Sequence, residues 1–152
     1  MSSLFKSEVV DRSKLGETGR VVYDFYEAVY ADDFDRAFDD YVDENFTFVV
    51  GTANNPALNA QIPWAGVEHK GRSGFDELVT VLYGEFEPIV MEPRVFTETG
   101  DTVFLEGHFR FKHKVTGKFA DSDWLAKYTV KDGRMQGGIF YENTAGVAAA
   151  RI

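Results

Sequence analysis

WLAKYTVKDGRMQGGIFYENT (residues 124–144) reads as two β-strands folded back on a turn at Asp132-Gly133. Asp-Gly is the pair that supplies the backbone a two-residue hairpin needs. The first strand alternates, with Trp124, Ala126 and Tyr128 on one side and Leu125, Lys127 and Thr129 on the other. Strand parity sends the two sets to opposite faces. With the aromatic set inward, Asp121, Asp123 and Lys127 point out to solvent or to a partner, and a row without charge is left for a covered interior.

Upstream, the segments IVMEPRVFTE, TVFLEGHFRFKHK and KFADSDWLAKYTV are separated by Thr99-Gly100-Asp101 and Val115-Thr116-Gly117. Both are good hairpin connections, so the last third of the chain is predicted to form an antiparallel meander. Pro93 marks its strand as an edge or a bulge, and Gly137-Gly138 allow a sharp bend in the last strand.

The first half is helical. Val22, Phe25, Tyr26, Val29 and Tyr30 step by three and four along one stripe. A second helix, capped by Asp33, repeats the spacing at Phe34, Ala37, Phe38 and Tyr41. NFTFVVG reads as a short strand ending at Gly51. From Thr52 to Gly71 no periodicity appears, and loops of that length tend to be lids or binding loops. Trp64 within it is ill suited to bulk water. Ser73 is read as the cap of a third helix with the stripe Phe75, Leu78, Val79, Leu82 and Phe86, stopped by Pro88. Lys70 and Arg72 beside its start offer an anion site only weakly, because such charges are common there. The tail AGVAAARI is apolar enough to pack on something, a neighbouring chain included.

Composition narrows the function classes. A chain of 152 residues suits one domain, and an aromatic content of 15% gives it bulky side chains to bury. The formal charge of −9 without basic clusters argues against nucleic acid. Cysteine is absent, so thiolate chemistry and disulfides are excluded. The N-terminus lacks a signal-like apolar run, and nowhere do ~18 apolar residues follow one another, which points away from a membrane and towards the cytoplasm. Three scattered His with no paired spacing argue against a metal, and no glycine-rich phosphate fingerprint implies a nucleotide cofactor. Helices followed by a meander make an α+β fold.

Several strings in this order resemble the SnoaL-like branch of the nuclear-transport-factor-2-like superfamily, to which ketosteroid isomerase, scytalone dehydratase and limonene epoxide hydrolase also belong. These are the paired helices around Ala31-Asp32-Asp33, Pro63-Trp64-Ala65-Gly66 before Gly71-Arg72, Gly100-Asp101-Thr102-Val103, and TGKFADSDWLAKYTVKDGRM running into Ile139-Phe140-Tyr141-Glu142-Asn143-Thr144. The likeness spans about residues 18–147 of a single domain, 1–152, leaving 1–17 as an N-terminal extension. It implies a cone-shaped, cystatin-like roll: three N-terminal helices on a strongly curved, mostly antiparallel mixed sheet, enclosing an apolar pocket, and a homodimer formed through the outer face. It implies a small apolar molecule as ligand and no cofactor. The relatives' acid-base groups transfer poorly: Val50 stands where ketosteroid isomerase has its base, Ala126 and Phe25 where it has its donors, and Asn143 where limonene epoxide hydrolase has an aspartate.

On DTVFLEGHFRFKHK, Val103, Leu105, Phe109 and Phe111 form one row and Glu106, His108 and Arg110 another. The second row is either a charged outer ladder or, if curvature turns it inward, a carboxylate-imidazole pair for general base work. His108 and Glu106 are therefore the catalytic candidates. Asp123 falls outward by parity, and His69 and His113 read as solvated. Tyr26, Trp64, Trp124, Tyr128, Tyr141 and Asn143 are each ordinary core residues taken singly; together they would give a greasy cavity a few hydroxyl, indole and amide groups. Two functions stay open. One is a cofactor-free isomerase, cyclase or dehydratase acting on an apolar cyclic or polyketide-like compound, with Tyr26 or Tyr128 donating to an enolate. The other is a non-catalytic dimeric ligand-binding or association module.

Overall fold

The computed structural model describes residues 9–152, so residues 1–8 of the expected N-terminal extension lie outside the described part. Helix α1 (Glu17–Tyr30) buries the predicted stripe Val22, Phe25, Tyr26, Val29 and Tyr30. Its N-terminus is closed by a residue far away in sequence: the Glu98 carboxylate accepts from the backbone N–H of Gly16 and Gly19 at 2.7 and 2.6 Å and from the Thr18 hydroxyl at 2.7 Å. Burial raises the Glu98 pKa, but these three donors outweigh it and leave it below the usual carboxylate value. Asp33 caps α2 (Phe34–Tyr41) as its position predicts, accepting from Arg36 N–H.

The chain then runs through β1 (Val42–Val50), α3 (Pro56–Gln61), β2 (Glu68–Lys70) and α4 (Gly71–Glu85). The stretch from Thr52 to Gly71 is thus more ordered than its sequence suggests. Asn55 caps α3 by accepting from Leu58 N–H, with Pro56 in the first turn where its missing N–H costs nothing. Ser73 does not cap α4: β2 passes directly into the helix, which starts two residues earlier, and Gly71 at φ 60° makes the corner. Arg72 is not free for an anion, since its guanidinium meets Asp35, Asp39 and Asp76. Nor does Pro88 stop this helix. It ends at Glu85, and Phe86 opens the next strand.

Strands β3 (Phe86–Thr99), β4 (Thr102–His113), β5 (Phe119–Lys131) and β6 (Arg134–Tyr141) form the antiparallel meander, followed by a short helix α5 (Thr144–Ala150). The sheet order is β2-β1-β6-β5-β4-β3, with β1 parallel to β6 and every other pair antiparallel. This is the curved mixed sheet of an α+β roll, with the helices on its inner face. Pro93 sits in the edge strand β3 beside a register shift, the two places a strand tolerates a missing donor. The tail packs on its own chain: Val147 and Ala150 are buried, and Arg151 pairs with Glu85 at 2.7 and 2.9 Å.

The β5–β6 hairpin decides what faces inward. Asp132 (φ 53°) and Gly133 (φ 72°) form the tight turn, and Lys131 pairs with Arg134 and Val130 with Met135. The register then shifts by one residue, and Thr129 pairs with Gly137. Gln136 is the extra residue of a β-bulge. Beyond it, Tyr141 lies opposite Leu125 on the outer face, and Phe140 and Glu142 face the interior.

Candidate functional site

Inside the roll lies a cavity of about 120 Å³. One water needs roughly 10–15 Å³, so the cavity has room for a small organic molecule. The walls are overwhelmingly apolar: Phe46, Phe48 and Val50 from β1, Leu78, Val79 and Leu82 from α4, Phe109 and Phe111 from β4.

The polar groups in it are few. Tyr26 and Tyr128 share a hydrogen bond of 2.5 Å, and the Tyr83 hydroxyl donates to that of Tyr30 at 2.9 Å. Tyr26, Tyr30 and Tyr128 are buried and Tyr83 partly so, all among apolar side chains, which pushes their pKa values up and keeps them protonated. His69 lies on β2 against the wall, and its Nε2–H donates to the Trp64 carbonyl at 2.8 Å. A carbonyl only accepts, so this bond fixes the proton on Nε2.

Among the described residues Glu142 is the one carboxylate in the lining. It carries no hydrogen-bonded or charged side-chain partner among the described residues, and part of its surface opens into the cavity. Burial alone pushes its pKa up to about 7. A neutral carboxyl at pH 6 and a carboxylate at pH 8 is the property a general acid-base group needs near neutrality. Its neighbour Tyr30 feels the charge directly, since Glu142 contributes to holding the Tyr30 phenol protonated.

The structure redistributes the sequence candidates. Tyr26, Trp64 and Tyr128 line the cavity. Trp124 faces inward as parity requires but lies behind the wall, stacked on Tyr26 and Phe140 with ring centroids 5.7 and 5.0 Å away. Tyr141 does not line the cavity: the bulge turns it outward, where it is 51% exposed. Asn143 is exposed too, because its side chain caps α5 by accepting from Gly146 N–H at 3.2 Å. Glu106 and His108 lie on the outer face of β4, with the sheet between them and the cavity. His108 bridges Asp123 (Nδ1, 2.9 Å) and Asp121 (Nε2, 3.4 Å), and Arg110 joins Asp121 at 2.6 Å. This is the charged outer ladder, built because Val103, Leu105, Phe109 and Phe111 take the inner row. His69 and His113 are buried, not solvated. His113 Nδ1 accepts from Val115 and Thr116 N–H, leaving its Nε2–H towards Glu85.

Glu142, His69, Tyr30 and Tyr83 went unrecognised in the sequence. Tyr30 was legible, one helical turn from Tyr26 on the stripe. His69 was hidden by the unrecognised strand β2, and Glu142 by the bulge. Among the described residues no cluster of three or more His, Cys, Asp and Glu is placed to hold a metal, and no helix is long and apolar enough to cross a membrane.

The family model for the SnoaL-like domain matches residues 22–137. The chain belongs to the SnoaL-like family. Solved structures agree on the SnoaL-like fold. An NTF2-like protein from Burkholderia xenovorans superposes with a TM-score of 0.74 at 22% identity, covering 90% of this chain and 96% of that one. TerC, crystallised with polyporic acid, gives 0.74 at 17% identity over 89% and 98%. A protein provisionally named a polyketide cyclase from Acidithiobacillus ferrooxidans gives 0.68 at 18% identity over 91% and 96%. At these identities the likeness carries the fold alone. No curated protein matches the sequence.

Proposed function

We propose that this SnoaL-like chain is a cofactor-free isomerase or cyclase that moves a proton next to a carbonyl of an apolar cyclic compound, with Glu142 as the general base and acid. The observation that carries this reading is the lone carboxyl of Glu142, held near neutrality in pKa and open to an apolar cavity beside phenol hydroxyls. The Glu142 carboxylate takes the α-proton, and the C–H electron pair moves to the carbonyl oxygen, which becomes an enolate. The Tyr26–Tyr128 pair donates to that oxygen. Glu142 then returns the proton to a different carbon of the enolate system. Proton transfer of this kind needs no redox partner. The reading takes its substrate class from the shape and polarity of the cavity, with the polyketide cyclase and ligand-bound structures among the neighbours as support, and it places the reaction in the cytoplasm.

The test is exchange of α-hydrogens in D2O for a panel of fused-ring ketones, followed by mass spectrometry. The native protein is expected to accelerate exchange with a midpoint near pH 7, and Glu142→Gln to lower the rate by at least 100-fold, the range general acid-base groups contribute. Equal rates in both proteins would remove the base role and leave the non-catalytic binding module in its place.

We further propose that two copies pair through the outer face of the sheet, centred on Leu125. The outward row of β5 reads Asp123, Leu125, Lys127, so a two-fold axis through Leu125 sets Asp123 of one copy against Lys127 of the other. Leu125, Phe104 and Tyr141 are 58%, 43% and 51% exposed in the single chain and would be covered together. Light scattering at micromolar concentration is expected to give twice the chain mass for the native protein and the single mass for Leu125→Asp; a monomeric native protein overturns the pairing.

A further inference from the structure

The four phenols of the cavity bring four hydroxyl protons, and their mutual hydrogen bonds use two. Tyr30 accepts from Tyr83 and so keeps its own proton. Whichever of Tyr26 and Tyr128 accepts within the other pair keeps one as well. Among the described residues neither remaining O–H makes a hydrogen bond to a further acceptor. Buried donors are seldom left without a partner, and here the free space in front of them is the cavity.

The two unspent donors are held at a fixed spacing. Tyr26 and Tyr30 stand one turn apart on α1 with rings within 5° of parallel and centroids 6.4 Å apart, and a helical turn rises about 5.4 Å. Because the Tyr128 hydroxyl touches that of Tyr26, the first donor stays in nearly the same place whichever of the two keeps its proton. Among the described residues the lining contains no Lys or Arg to offset a ligand anion.

We propose that this wall is a specificity-determining subsite selecting a neutral fused-ring compound with two carbonyl oxygens, spaced on the order of a helical turn, as in a 1,4-quinone. The Tyr26–Tyr128 pair receives one oxygen and Tyr30 the other; Tyr83 is a positioning residue that orients the Tyr30 hydroxyl. A monoketone of the same skeleton fills the cavity but leaves one donor unpaired. The inference rests on the cavity being a ligand site, as proposed above, and not on Glu142 acting as a base.

Calorimetric titration at pH 6, where Glu142 is mostly neutral, with 1,4-naphthoquinone and 1-tetralone as probes, decides it. The chain contains no cysteine to add to the quinone. The native protein is expected to bind naphthoquinone at least tenfold tighter than tetralone. Tyr30→Phe is expected to reduce that ratio to about twofold, and Tyr83→Phe to reduce it less, since the Tyr30 proton survives but its hydroxyl is no longer held in place. Equal affinity for the two probes in the native protein, no binding of either, or a ratio preserved in Tyr30→Phe each overturns the subsite. The native comparison alone suffices should Tyr30→Phe not fold. Glu142→Gln separates the two proposals: it is expected to slow hydrogen exchange by at least 100-fold yet keep the binding ratio.

Discussion

Glu142→Gln is expected to make the protein more stable than the native chain at pH 8–9, by on the order of 3 kcal/mol, and to leave it nearly unchanged at pH 4. Burial lifts the Glu142 carboxyl from 4.5 to about 7, so between those values the folded chain holds a proton the unfolded chain has released. A group raised in this way contributes its full stability below the unfolded value, and the contribution falls away as pH rises through 7. Keeping the carboxylate charged in an apolar cavity is what costs the native fold at pH 8. Glutamine is nearly isosteric and carries no charge at any pH, so the cost disappears with the substitution. For a chain of this length the gain corresponds to a rise in Tm of roughly 6–10 °C. Urea unfolding of both proteins across pH 4–9 measures it, and taking the difference between them cancels the titration of surface carboxylates common to both. Parallel stability curves, with no divergence between pH 5 and 8, would show that Glu142 is solvated and unfit for the role assigned to it. The same substitution is thus expected to stabilise the fold and disable the reaction, as befits a residue retained for chemistry at a cost in stability.

Why Glu142 was hidden while Trp124 was not is a matter of register. Along β5 the alternation runs unbroken for 13 residues, and Trp124, Ala126 and Tyr128 are buried where parity puts them. Counting back across the Asp132-Gly133 turn without a bulge sets Tyr141 opposite Trp124, hence inward. The extra residue at Gln136 moves the pairing by one and sets Tyr141 opposite Leu125. One inserted residue reverses every later side chain on the strand, so Tyr141 and Asn143 exchange places with Phe140 and Glu142. Local composition gives little help: Gly137 and Gly138 have no side chains to assign, and Phe140 and Tyr141 are both bulky aromatics. The helices were more legible because a stripe repeated over several turns tolerates an error at either end, which is why α1 agrees with its pattern while the start of α4 does not. His69 and Trp64 were obscured for another reason. Three-residue β2 and six-residue α3 are too short to show a period, and they owe their order to burial of Ile62, Trp64 and Ala65.

Gly107→Ala is expected to destabilise the protein by about 3 kcal/mol or more, although it adds one methyl group to a strand. A Cβ at this position would lie 2.4 and 2.5 Å from Cζ2 and Cε2 of Trp124 and 2.7 Å from the backbone oxygen of Glu92. Neither neighbour can yield cheaply. The indole is 1% exposed and held between Tyr26 and Phe140, and the Glu92 carbonyl belongs to the paired strand β3. Overpacking that forces both side chain and backbone to shift lies at or above the upper end of the usual 1–3 kcal/mol. Displacing Trp124 also moves Tyr26, and with it the hydroxyl pair that the proposed enolate would meet, so ligand affinity is expected to fall together with stability. Gly137→Ala is the control: its Cβ would meet only Thr47 at 3.5 Å, an ordinary contact, and is expected to change stability by less than about 0.5 kcal/mol. Urea denaturation followed by tryptophan fluorescence measures both substitutions. Equal small effects at the two glycines would mean that the indole has room to move, and the inner wall could not then be the rigid support that fixes the Tyr26 hydroxyl.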